Sequence, residues 1–190
     1  MNKDVKAGTF VFKPRARLIK TIGEELISDD KVAIIELVKN SYDAYSSLYN
    51  GAPIVDIVFQ GNVETCTDTS GSKKYIISKT GSSIIIFDEG VGMDFNTIEH
   101  AWMEPATNFK KLKENQDPQK KYSGEKGIGR FASAKLASKL ELVTRREGED
   151  EIVVFFDWNM FSNEEDYLDD VKINWQIRPA QEIKTHGTIL

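Results

Sequence analysis

A single cysteine, Cys66, stands in 190 residues, which excludes an internal disulfide and leaves no second thiol from which to build a zinc site. Cys66 therefore reads as a small, semi-buried residue. No apolar run in the sequence approaches the length of a membrane span. The opening MNKDVKAGTF lacks the apolar core of a signal peptide. These absences predict a cytoplasmic protein without a membrane role. Basic charge is scarce too: 25 Lys and Arg face 30 Asp and Glu, a net of −5, so the whole chain has no electrostatic footprint for nucleic acid. The lysines within 110–113 and 120–121 lie in a polar stretch and read as a solvated loop rather than a binding patch. No internal repeat is present.

What the chain does contain is ordinary for a globular domain, at 40% hydrophobic and 29% charged residues, which argues against wholesale disorder. Its length suits one substantial core, so residues 1–190 are expected to form a single domain. Residues 9–12 look strand-like before Pro14 breaks the pattern, and residues 16–27 carry helical spacing at Leu18, Ile19, Ile22 and Leu26. Ser28, Asp29 and Asp30 supply capping oxygens and negative charge for a long helix reaching about residue 48. A strand is expected at 54–59, a loop at 61–71, and a hairpin pairing 75–78 with 83–87 around Thr80-Gly81. A short helix over 95–102 precedes a mostly polar stretch, 103–123, whose length suits a functional lid. Helix returns at 127–140, and strands follow at 141–145, 152–157 and 171–178. This order is not a strict βαβ alternation. It fits an α/β two-layer sandwich, a mixed, mainly antiparallel sheet with helices on one face.

Three motifs carry chemistry. Glu36, Asn40 and Asp43 fall within about 60° of one another on the long helix, with Ile35, Val38, Tyr42 and Tyr45 mainly on the other side, where they are expected to pack on the sheet. A carboxamide oxygen there suits a hard cation and a carboxylate one turn away suits a water. Taken alone, such a trio is more often a solvated helix face. The second motif, IIIFDEGVGM over 84–93, sets Asp88 at the end of a buried strand, where it can accept from an exocyclic amine, while Gly90 and Gly92 let the backbone and Met93 approach a flat ligand. An Asp-Gly turn with no ligand is the alternative. The third, GEKGIGR over 124–130, precedes a helix, and its free amides suit an anion. It lacks the ending of a Walker A loop and the frame of a Rossmann fingerprint.

In this order, separated by a lid-length loop, the motifs resemble the GHKL family of gyrase B subunits, ninety-kilodalton heat-shock chaperones, sensor histidine kinases and MutL proteins. ELVKNSYDA over 36–44 is similar to the family's N-box, with wording near MutL and MORC-type proteins. DEGVGM over 88–93 is similar to its G1 box and GEKGIGR to its G2 box. Gly187-Thr188 resembles the late strand that closes an adenine pocket.

The resemblance implies a Bergerat fold, an ATPase, and the N-terminal fragment of a longer protein. It implies Glu36 as general base, Asn40 as the protein ligand of Mg²⁺, and Asp88 as the reader of adenine, with Thr188 assisting through water. It further implies amides of Gly127, Ile128 and Gly129 around phosphates, charge from Lys126 and Arg130, and Thr107 near them from the lid. Asp43 either joins the pocket or braces the helix end. ATP and ADP are the implied ligands, with an ATP-dependent homodimer in the longer protein and an unspecified protein or DNA client. A nucleotide-gated interaction module with little turnover uses the same residues. A histidine-kinase-type domain typically has Asn where Glu36 stands, and His100 and His186 lie in no dimerisation hairpin.

Overall fold

The computed structural model describes residues 8–45, 52–67, 69–77, 81–107 and 127–190. The long helix starts where the capping residues place it. α1 (Arg17–Glu25) leads into α2 (Asp30–Ala44), and the Asp29 carboxylate accepts from the Val32 amide at 2.9 Å, satisfying one of the donors that a helix start leaves open. α2 ends earlier than expected. Tyr45 turns extended, and the Ala44 carbonyl accepts from Val91 at 2.9 Å, tying the helix end to the turn after Asp88.

Strands β1 (Val55–Gln60), β2 (Val63–Thr67), β3 (Lys73–Ile77) and β4 (Ser83–Asp88) come next. After the helical segment come β5 (Lys139–Arg145), β6 (Glu151–Asp157), β7 (Asn174–Arg178) and β8 (Gly187–Ile189). The main sheet runs β1-β4-β8-β5-β6-β7 and is antiparallel at every pairing. With helices over one face, this is the two-layer α/β architecture of the Bergerat fold.

Several local expectations fail for identifiable reasons. Residues 61–71 are not all loop, because the β-branched Val63, Thr65 and Thr67 favour strand and β2 pairs with β3 as a separate ribbon. The expected hairpin of β3 with β4 therefore does not form: β4, an unbroken apolar strand, is central and is flanked by β1 and β8. The segment 95–102 is one turn of α-helix, α3 (Phe95–Thr97), followed by a π turn at Ile98–Trp102. Residues 127–140 form a 3-10 turn, Gly129–Ala132, and a short α4 (Ser133–Leu136). Ala137 is already extended, so Leu140 joins the same core from β5 rather than from a helix. Residues 9–12 belong to no strand, and Phe10 and Phe12 are fully exposed.

The core lies between the helices and the sheet. Ile19, Phe131, Leu142, Val154 and Trp158 belong to it, and Phe156 stacks on Trp158 at 5.2 Å. Such aromatic burial dominates the stabilisation of a core this size. The far face of the sheet is closed more thinly, by Ile183 over Val143 and Val153. Ile183 is held there by a buried charge. Glu151, fully buried on β6, accepts from the amides of Gln181 (2.9 Å), Glu182 (2.6 Å) and Ile183 (2.6 Å), and its other oxygen accepts from Arg178 Nε at 3.1 Å. Burial alone would push this carboxyl up. The three amides and Arg178 outweigh it and hold the group below the usual glutamate range.

A carboxyl so depressed contributes stability that is complete above the ordinary glutamate range and disappears as pH falls through the folded-state value. Glu151→Gln is expected to cost about 1–3 kcal/mol at neutral pH, with the gap from the parent narrowing in acid. Urea midpoints across a pH series measure this, and a gap independent of pH would contradict it.

Candidate functional site

Three neighbouring strands set a polar row on the helix-facing side of the sheet. β8 pairs Thr188 with Asp88 on one side and with Thr144 on the other. All three side chains are buried. The Thr144 hydroxyl accepts from the Met93 amide at 2.9 Å, donates to the Gly187 carbonyl at 3.1 Å, and lies 3.0 Å from the Thr188 hydroxyl. Burial pushes the Asp88 carboxyl up to about 6, against the opposing hydrogen bonds from the Gly90 amide, the Ser41 hydroxyl and the Thr188 backbone. Asp88 is thus a strong acceptor with little water around it, the environment in which a hydrogen-bond donor on a ligand counts most.

The glycines are steric necessities here. Gly92 has φ +67°, and a Cβ on it would stand 1.9 Å from the Arg145 carbonyl oxygen, so the turn docks directly on the end of β5. A Cβ on Gly90 would meet Ala44 Cβ and Asp88 Oδ1, each at 2.8 Å. His186 Nδ1 lies 2.8 Å from the Gly90 carbonyl oxygen and ties the same turn to the approach of β8.

The other end of the site lies along α2. Its packing stripe is Ala33, Leu37 and Ser41, all buried. Ile35 and Tyr42, expected against the sheet, are instead more than half exposed, because the small residues Ala33 and Ser41 give the closer approach. Glu36 and Asn40 occupy the adjacent stripe and are partly buried, with Asp43 buried at the helix end. The glycine turn folds onto this stripe: a Cβ on Gly129 would lie 3.1 Å from Glu36 Oε2 and 3.5 Å from Asn40 Nδ2. Gly127, at φ +64°, would place a Cβ 3.4 Å from the backbone of Thr107. Thus Glu36, Asn40, Gly127, Gly129 and Thr107 come together, with Ile128 between the two glycines.

The helix after this turn is only Ser133–Leu136, too short to add much dipole, so an anion here would depend on the turn amides and on nearby cations. Arg130 is one such cation. It is buried and donates from Nη2 to the Gly127 carbonyl at 2.7 Å, while Nη1 has no hydrogen-bond partner among the described residues. Burial lowers its guanidinium to about 10, still charged at neutral pH. Lys126 and residues 108–123 of the expected lid lie outside the described residues.

Among the described residues no group of three or more His, Cys, Asp or Glu side chains could hold a metal ion. The donor set suits a hard cation that takes one carboxamide oxygen from Asn40 and draws its remaining ligands from phosphates and water, as Mg²⁺ does. No helix among those residues is long and apolar enough to cross a membrane. Sequence reasoning missed Ser41, Thr144 and His186. Ser41 had a readable signal, one residue past Asn40 on the packing stripe. Thr144 had none, since its partners are set by strand register alone.

Residues 27–188 match the family described as histidine kinase-, DNA gyrase B-, and HSP90-like ATPase. The chain is similar to the chaperone protein HtpG of Geobacter metallireducens, at 30% identity over 142 residues, covering 70% of this chain and 21% of that protein. It is similar to HtpG of Ruthia magnifica at 28% over 140 residues and to HtpG of Geobacter sulfurreducens at 28% over 142, with the same shares. The chain therefore spans about a fifth of the length of these relatives. With the Asp88 row, both glycine turns and the Glu36–Asn40 stripe all inside the matched span, the chain belongs to the histidine kinase-, DNA gyrase B- and HSP90-like ATPase family.

Proposed function

We propose that this chain is the ATP-binding and hydrolysing module of a longer protein, and that its Mg²⁺-dependent turnover drives a nucleotide-gated conformational or dimerisation cycle of the chaperone type. The observation that carries the reading is the approach of Gly129 to both Glu36 and Asn40, which sets a carboxylate and a carboxamide against the glycine turn. The adenine amine would donate to Asp88, with Thr188 and Thr144 fixing the edge around it. The amides of Gly127, Ile128 and Gly129, with Arg130, Lys126 and Thr107, would take the phosphates. Asn40 would hold Mg²⁺, which supplies charge neutralisation at the phosphate oxygens when bound. Glu36 would orient and deprotonate the attacking water, so hydrolysis rather than transfer to a histidine is the expected reaction.

A general base contributes mainly to the transition state. Glu36→Ala is expected to lower turnover by about 100-fold or more while leaving Mg-ATP affinity within about twofold of the parent. Calorimetry beside a phosphate-release assay decides it, and unchanged turnover removes Glu36 from the mechanism.

Asp88 gives a pH signature. Because its carboxyl sits near 6, the charged acceptor is lost as pH falls through that value, and ADP affinity should fall with it. Asp88→Asn should weaken ADP at neutral pH by about 1–3 kcal/mol and abolish that part of the pH dependence. Titration of the nucleotide's own phosphates is common to both proteins and cancels in the comparison. Parallel pH profiles for parent and variant would rule the assignment out.

A further inference from the structure

Lys39 stands about 60° round α2 from Glu36, and its Nζ lies 2.8 Å from Glu36 Oε1. On an open helix surface such a pair is routine and weak. The setting here is different. The Glu36 side chain is only 26% exposed, against 41% for Lys39, so the glutamate is the more enclosed member of the pair. The two carboxylate oxygens also face different neighbours: Oε1 is bound to Lys39, whereas Oε2 is the atom that a Cβ on Gly129 would approach to 3.1 Å. A glutamate has three rotatable side-chain bonds and, untethered, would spread over several staggered rotamers. Fixing one oxygen on Lys39 leaves the other aimed toward the glycine turn.

We infer that Lys39 is a positioning residue for hydrolysis, tethering Oε1 of Glu36 so that Oε2 is presented to the attacking water. This rests on the reading of Glu36 as the general base. Lys39 acts through Glu36 and makes no contact of its own with nucleotide, so its loss should affect the rate and spare binding. A displacement of about an ångström in a reacting group can cost up to about 100-fold.

The test is single-turnover phosphate release with protein in excess over Mg-ATP, beside calorimetric affinity and thermal melting, on the parent, Lys39→Met, Lys39→Arg, Glu36→Ala and the Glu36→Ala/Lys39→Met double variant. Lys39→Met should slow release by about 10- to 100-fold with affinity within twofold and an unchanged melting temperature. Lys39→Arg, whose guanidinium can reach the same oxygen, should recover most of the rate. The double variant should be no slower than Glu36→Ala alone, since a residue acting through another has nothing further to lose. A parent-like rate in Lys39→Met, a rise in Kd that matches the loss of rate, failure of arginine to restore, or additive losses in the double variant would each overturn the inference while leaving Glu36 as base. A parent-like rate in Glu36→Ala, or a parent chain that releases no phosphate, would instead remove the general base and the tether together.

Discussion

A Cβ on Gly187 would stand 2.2 Å from the Asp88 carbonyl oxygen, at a φ of +140°, so β8 can slot between β4 and β5 only with glycine at that position. The rest of the pocket depends on that insertion. β8 is three residues long, yet it closes the gap between the two halves of the sheet, with Leu190 extending the ladder by reciprocal bonds to Ile86 at 2.9 and 3.0 Å. Its register decides which side chains meet. Thr188 falls between Asp88 and Thr144, and a slip of one residue would turn Ile189 into the polar row instead. Such a short strand cannot set its own register by pairing alone. The Glu151 carboxylate fixes the preceding residues 181–183, Arg145 Nη1 donates to the Ile183 carbonyl at 2.9 Å, and His186 reaches the Gly90 carbonyl.

Electrostatics divide the site in the same way as geometry. At one end Asp88 is enclosed, its charge disfavoured by burial and sustained by three hydrogen bonds, so a neutral donor group fits there and an anion does not. At the other end the glycine turn packs against Glu36 and Asn40 of α2 and carries the buried Arg130, a cation that favours negative charge nearby. A ligand with an uncharged hydrogen-bonding head and an anionic tail satisfies both ends in one orientation.

Much of this was legible in the sequence, at the level of motifs more than of elements. The Asp29 cap and the apolar runs of β4 and β6 each follow from local chemistry, and local chemistry is what a sequence displays. The three motifs could be placed for the same reason, since glycine at a turn and a polar stripe on a helix are readable from spacing. Pairing was less accessible. β3 has the look of a partner for β4, and nothing in either strand shows that β1 and β8 occupy both its edges. The periodicity of residues 127–140 suggested one helix because Leu136 and Leu140 serve the same side of the sheet, one from α4 and one from β5. Glu151 gave no signal either. A glutamate at the start of an apolar strand reads as a solvated edge, and its three amide partners lie about thirty residues away.

The helix α2 explains why the two ends keep a fixed separation. At its C-terminal end the Ala44 carbonyl accepts from Val91 and Ser41 bonds to Asp88. Near its middle Glu36 and Asn40 face the glycine turn. From Glu36 to Asp43 the helix rises about 10 Å at 1.5 Å per residue, so the spacing between the enclosed carboxylate and the glycine turn is set by helix geometry rather than by loops. The same helix must also bury Ala33 and Leu37, and those contacts determine its rotation about its own axis. A rotation of one residue, about 100°, would take Glu36 out of the cleft and Ser41 away from Asp88 at once. Packing and site geometry are therefore constrained together, because the stripe that faces the core and the stripe that faces the glycine turn are neighbours on one rigid rod.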